Sequence, residues 1–210
     1  MIVSWDAREE SDNAILARAL GYPYSLPASS YILEAASEPR PCQADDAQAF
    51  RESHTPVLAV GSNQSPDQLA RKFPGKLWSA ILSEKCVLKN FDTVYSAHIA
   101  AYGSIAAALH PSPGTSVTLF VNWLDDEQLE RMHETELGSG NYAFARLSGI
   151  EITTELGHSL DHVHFYLGNR GAIRHDGAPV PLAAVTASGR TWLPKTQSEI
   201  QDIARQRTAP

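Results

Sequence analysis

The strongest constraint on this chain is a series of apolar segments too short for ordinary helices. From Pro56 onward, residues 57–60, 80–88, 93–98, 117–123, 142–153 and 162–167 read as strands bounded by turns, interrupted by two well-signalled helices. Val117, Leu119, Val121 and Trp123 alternate cleanly and share one face of their strand. A parallel sheet needs long crossovers, usually helical, and few of these segments are separated that way. The pattern therefore predicts an α+β protein: a small mixed or antiparallel β-barrel with flanking helices.

The first 55 residues have a different texture. Asp12 and Asn13 supply N-cap chemistry for a short helix through Ile15, Leu16, Ala19 and Leu20, which Gly21 stops. The prolines of GYPYSLP then forbid regular structure, residues 38–41 (EPRP) read as a linker, and residues 45–52 form a second short helix. Tyr22, Tyr24, Leu26, Tyr31, Ile32 and Leu33 would be an exposed apolar string unless this arm wraps the body. The expected division is an N-terminal helical and irregular arm, residues 1–55, and a domain of residues 56–210 that ends in a helix. That last helix is announced by Thr196 and Glu199, a capping box, ahead of Ile200, Ile203 and Ala204.

Composition narrows the function classes. The chain has 210 residues and a formal net charge of −7, the wrong sign for tracking a phosphate backbone, so nucleic acid is not the expected partner. Cys42 and Cys86 are far apart and outside any Cys-x-x-Cys pair, which indicates neither a disulfide framework nor a thiolate zinc site. The opening MIVSWDAREE turns acidic before an apolar leader forms, and no segment is apolar for the roughly 18 residues of a membrane span. A soluble, cytoplasmic protein without a membrane partner is the expectation.

Two elements carry chemistry. In VLAVGSNQSPDQLARKF, residues 57–73, a short strand runs into Gly61, Ser62 and Asn63, and Ser65-Pro66-Asp67-Gln68 reads as N-cap, N1 proline and capping-box Gln. A turn of this kind presents consecutive backbone N–H groups, which suit a carboxylate or phosphate; a plain polar loop is the alternative. In WLDDEQLERMHETELGSGNY, residues 123–142, Asp125 and Gln128 form a capping box for a helix over residues 126–137, ended by Gly138. Steps of three or four along its apolar face run from Leu129 to Met132 or His133 and then to Glu136, with Glu127, Glu130 and Glu134 on the solvated side. A carboxylate on an apolar stripe at a helix C-terminus is desolvated and feels the negative end of the helix dipole, so a raised pKa and a general acid/base role are predicted. The alternative is a frayed last turn that lets Glu136 reach water.

These elements, in this order, resemble the γ-glutamylcyclotransferase-like superfamily, which includes the AIG2-like proteins. The resemblance rests on Val60-Gly61-Ser62-Asn63 after the first strand, Met132-His133-Glu134-Thr135-Glu136 at the helix end, Asn141-Tyr142 after it, and the intervening FDTVYSAHIAAYGSIAAALHPSPGTSVTLFVNWL, spanning residues 56–182. It implies a small-molecule substrate bearing a carboxylate, held by Gly61, Ser62 and Asn63. It also implies that Glu136 moves a proton from the α-ammonium of a γ-glutamyl amine, peptide or related small amide to the leaving amine, releasing 5-oxoproline without metal or organic cofactor. Val60 stands where the family has a tyrosine, which removes a phenol and an aromatic wall from the loop. Tyr142 is retained, and its hydroxyl is expected to orient the carboxylate or the substrate. A non-catalytic carboxylate-binding module of the same fold, its pocket covered by the arm, is the alternative.

Other signals are read as structural. His158, His162 and His164 lie near Asp161 without a complete metal-ligand set, no Gly-x-Ser-x-Gly elbow occurs, and Gly168-Asn169-Arg170-Gly171 is a tight turn, with Arg170 and Arg174 as alternatives for meeting a substrate carboxylate.

Overall fold

Alternation makes the strands, and their pairing makes a closed barrel. The structure, a computed structural model, describes residues 12–75 and 78–208. In chain order these form α1 (Asp12–Leu20), β1 (Tyr31–Leu33), β2 (Arg40–Pro41), α2 (Ala44–Ser53), β3 (Thr55–Ala59), a turn of 3-10 helix (Ser62–Gln64), α3 (Pro66–Lys72), β4 (Ile81–Ile99) and β5 (Ile105–Leu124). Then come α4 (Asp126–Leu137), β6 (Tyr142–Thr154), β7 (Ser159–Gly168), the short β8 (Arg174–His175), β9 (Ala178–Pro179) and β10 (Ala187–Ser188), and α5 (Gln197–Thr208). The first eleven residues of the expected arm lie outside the described residues.

The barrel closes in the order β5, β3, β7, β6, β4 and back to β5. Every one of these pairings is antiparallel except β3 with β7, where Val57 lies opposite His164. Closure leaves the five strands no unpaired edge. The fold is thus the expected α+β arrangement around a mixed barrel.

From Leu119 to Leu124 β5 is buried on both faces, and that splits the core into two clusters. Val117, Leu119, Val121 and Trp123 point inward with Leu88, Ile152 and Val163, while Phe120 and Leu124 face Leu69 and Phe73 near α3, and Met132 of α4. At roughly 25 cal/mol per Å² of apolar surface, each such side chain contributes about 1.5–3 kcal/mol. No described helix is long and apolar enough to cross a membrane.

Four local expectations are corrected. Residues 80–88 and 93–98 belong to one strand, β4, whose register against β5 shifts between Lys89 and Phe91, where Asn90 takes a positive φ of 66°. β5 likewise begins at Ile105, twelve residues earlier than its alternating part, because Ala106, Ala107 and Ala108 are buried in the ladder despite the weak strand preference of alanine. Residues 38–41 are not only a linker, since Arg40 and Pro41 pair with β1 as β2. The capping boxes of α4 and α5 form: Asp125 Oδ1 accepts from the Gln128 N–H at 2.8 Å, and Glu199 Oε2 from the Thr196 N–H at 2.8 Å. The box at Ser65 does not, because the Ser65 hydroxyl is buried without a partner and Gln68 instead accepts from Arg71 at 3.4 Å.

The segment before β3 is knitted into the body. β1 adds to β4 through Ile32 opposite Leu82, and Tyr22, Tyr31 and Ile32 are buried. Glu84 of β4, fully buried, pairs with Arg51 of α2 and accepts from the Trp123 indole at 3.1 Å. On the far side, buried Asp92 meets Arg190 at 2.9 Å. Cys42 and Cys86 are both buried and free.

Candidate functional site

A cavity of about 480 Å³ opens where the end of β3, the 3-10 turn, α3 and the C-terminal end of α4 converge on β4, β5 and β6. Val60, Gly61, Ser62, Asn63, Glu136 and Tyr142, drawn from two distant stretches of sequence, all line it. The turn between β3 and α3 is braced from below. Gln64, fully buried, donates to the carbonyls of Val60 and Gly61 at 3.2 and 3.1 Å, and Tyr31 donates its hydroxyl to the Gln64 carbonyl at 3.0 Å. Asn122 of β5 donates to the Asn63 carbonyl at 3.0 Å. Ser62 and Asn63 open the 3-10 turn, where the first N–H groups have no acceptor within the helix.

Helical periodicity delivers Glu136 as expected. Met132 is buried, Glu127, Glu130 and Glu134 are exposed, and the Glu136 side chain is 16% exposed. Asn63 Nδ2 donates to Glu136 Oε1 at 2.9 Å. The same oxygen takes an ion pair from Lys72 at the end of α3, whose ammonium also touches Met132 Sδ at 3.4 Å. Glu136 Oε2 has no partner among the described residues.

The direction of the Glu136 pKa is the main correction. Burial pushes it up, as its place on the apolar stripe predicts, but the charge and hydrogen bond of Lys72 and the hydrogen bond of Asn63 together pull it down. The carboxyl is therefore held below the ordinary carboxylate value and is ionised at neutral pH. Lys72 carried a readable signal, since it follows Leu69 by three positions and so falls on the buried side of α3.

Tyr142 faces the cavity, but its hydroxyl donates to the Ala107 carbonyl at 3.0 Å rather than to Glu136. Burial and the nearby Glu136 charge raise its pKa, so it stays a neutral phenol. Val60 leaves the loop without an aromatic ring, and Tyr22 occupies the space beside it. Its oxygen lies where a methyl group on Gly61 would stand, 2.1 Å from that position. His98, which sequence reasoning did not single out, also lines the cavity, with Nδ1 3.0 Å from Ser96 Oγ and its ring edge-on to Tyr142. Burial and then the charge of Arg170 lower its pKa against the opposing pull of Glu136, which favours neutral imidazole.

The remaining signals fall elsewhere. His162 pairs with Asp161 at 2.6 Å, His164 stacks on Phe144, and no group of three or more metal-binding side chains occurs among the described residues. Arg170 donates to Asn141 at 2.9 Å on the cavity rim, and Arg174 donates to the Gly177 carbonyl at 2.7 Å.

The fold and site define an α+β protein whose mixed five-stranded barrel carries the Glu136 carboxylate, held at a Gly-Ser-Asn turn, in a small-molecule-sized cavity. Among solved structures, the chain is similar to a γ-glutamyl cyclotransferase, with 18% identity over 56% of this chain and 68% of that one and a TM-score of 0.42. It is also similar to an uncharacterised protein from Homo sapiens, at 20% identity over 56% and 68% of the two chains with a TM-score of 0.43. A third similarity is to a protein from Arabidopsis thaliana, at 16% identity over 79% and 89% with a TM-score of 0.42. No protein-family model and no curated protein matches the chain.

Proposed function

We propose that this cavity is the active site of a cyclotransferase-like enzyme that cleaves a γ-glutamyl amine, peptide or related small amide and releases 5-oxoproline. The observation that carries the reading is the Glu136 carboxylate on the cavity wall, with one oxygen tied to Asn63 and Lys72 and the other without a partner among the described residues. In this reading the substrate α-carboxylate sits on the N–H groups of Ser62 and Asn63 and draws on Lys72. As Lys72 shares its charge with the substrate, its hold on Glu136 weakens, burial dominates, and the carboxylate becomes a stronger base. Glu136 then takes a proton from the α-ammonium, and the freed amine attacks the γ-carbonyl carbon. As the amide C–N bond breaks, Glu136 returns that proton to the leaving nitrogen. The second proton lost by the attacking nitrogen also goes to the leaving amine, which departs as an ammonium. Closing a five-membered ring makes the step intramolecular, so holding one substrate conformer supplies much of the rate.

A carboxylate-binding module without turnover is the second reading, favoured by the fact that Lys72 already satisfies Glu136. Incubation with a panel of γ-glutamyl peptides separates the two. Release of 5-oxoproline that disappears in Glu136→Gln supports the enzyme; binding without release in the wild-type chain supports the module.

A further inference from the structure

Tyr22 reaches the cavity from outside the barrel. It follows α1, lines the cavity wall and is 7% exposed. Its hydroxyl oxygen accepts from the Ala107 N–H at 2.8 Å, while the carbonyl of the same residue accepts from the Tyr142 hydroxyl at 3.0 Å. The two phenols are thus held by one backbone residue, but they end in different states. Tyr142 uses its hydroxyl proton in a hydrogen bond to a carbonyl. Tyr22 has accepted a hydrogen bond and keeps its own proton, for which no acceptor is found among the described residues.

The placement of the ring is built by its surroundings. Tyr24 packs edge-on against Tyr22, and the Arg71 guanidinium of α3 lies 4.8 Å over the Tyr24 ring. Gly61 leaves room for the Tyr22 oxygen directly over the turn that would hold a carboxylate. Burial above all, with the nearby Glu136 charge adding to it, pushes the Tyr22 pKa well up, so the phenol remains a donor at ordinary pH.

We propose that Tyr22 is a ligand-contacting residue, which donates its phenolic proton to an oxygen of a small carboxylate-bearing ligand seated at Gly61, Ser62 and Asn63. The site is then completed by a side chain from the segment that precedes the barrel. This deepens the proposed function and rests on its reading of the cavity as a carboxylate site, but not on the cyclisation chemistry.

The test compares wild type, Tyr22→Phe and Tyr22→Ala by calorimetric titration with L-glutamate and 5-oxoproline and by turnover of γ-glutamyl peptides, with thermal melts to check folding. A lost hydrogen bond to a charged group predicts that Tyr22→Phe weakens binding about 10- to 100-fold. KM should rise similarly with kcat little changed, and the Ala variant should bind no better than Phe. Equal affinity in wild type and a folded Tyr22→Phe overturns the proposal, as does tighter binding in Tyr22→Ala, which would make Tyr22 a plug. Absence of binding of either compound to the wild-type chain overturns it too. Binding that depends on Tyr22 without any 5-oxoproline release sinks the cyclotransferase reading alone; release that is indifferent to Tyr22→Phe sinks the Tyr22 role alone.

Discussion

Lys72 and Glu136, 64 residues apart, form an ion pair on the cavity wall, and Asn63 donates to the same carboxylate oxygen at 2.9 Å. The pair joins the end of α3 to the end of α4. Burial raises the Glu136 pKa, and the charge and hydrogen bond of Lys72, with the hydrogen bond of Asn63, together outweigh it and hold the carboxyl in its ionised form. These contacts together set the position and the ionised state of the candidate catalytic group.

Replacing Glu136 with Gln keeps the side-chain shape and removes the proton acceptor. Turnover of any γ-glutamyl substrate should fall by about 10²- to 10⁴-fold, the usual contribution of a positioned acid/base group. Circular dichroism and a substrate titration should show an intact fold that still binds ligand; retention of wild-type turnover would remove Glu136 from the mechanism.

Lys72→Met should move the Glu136 pKa upward, since burial then loses its main opponent and only the Asn63 hydrogen bond and the His98 charge still pull down. The acid limb of the kcat/KM profile should shift to higher pH relative to wild type. Stability follows the same sign. In wild type the depressed pKa contributes stability above the unfolded carboxylate pKa of about 4.3, lost as pH falls through the lower folded value. In the Met variant the buried carboxylate costs stability at neutral pH and recovers it on acidification. Denaturant titrations across pH check this, and identical profiles for the two proteins would contradict it.

A methyl group at Gly61 would stand 2.1 Å from the Tyr22 oxygen and 3.0 Å from Ala107 Cβ. Gly61→Ala should cost about 1–3 kcal/mol, typical of overpacking. Much of that cost should vanish in a Tyr22→Ala background, because the closest clash is gone. Additive effects in the double-mutant cycle would show that the two residues are not in contact.

Arg190→Met should destabilise the chain by about 3–5 kcal/mol, since it strands the fully buried Asp92 carboxylate and leaves the Leu182 and Val185 carbonyls without their guanidinium donor. Adding Asp92→Asn should recover part of the loss. Chemical denaturation measures both.

Much of the local architecture is legible in the chain. The Asp125 and Gln128 box, the Thr196 and Glu199 box and the face of α4 that carries Glu136 each follow from residues within a turn or two of one another. Capping and periodicity are short-range, so a linear reading captures them. The Ser65 box shows the limit: its residues have the right identities, but burial leaves the hydroxyl unpartnered. The alanines of β5 show another, since a residue with weak strand preference enters a ladder when its neighbours offer one.

The sequence by itself determined that Glu136 lies on an apolar stripe and that a Gly-Ser-Asn turn follows the first barrel strand. Only the tertiary structure decided that the two meet, that Lys72 neutralises the pair, and that Tyr22 crosses from the N-terminal segment to cover Gly61. The physical reason is range. Helix caps and side-chain periodicity depend on neighbours along the chain, whereas the composition of a cavity and the pKa of a buried carboxyl depend on every charge and dipole that folding brings near. β3, which leads into the turn and α3, lies between β5, which leads into α4, and β7.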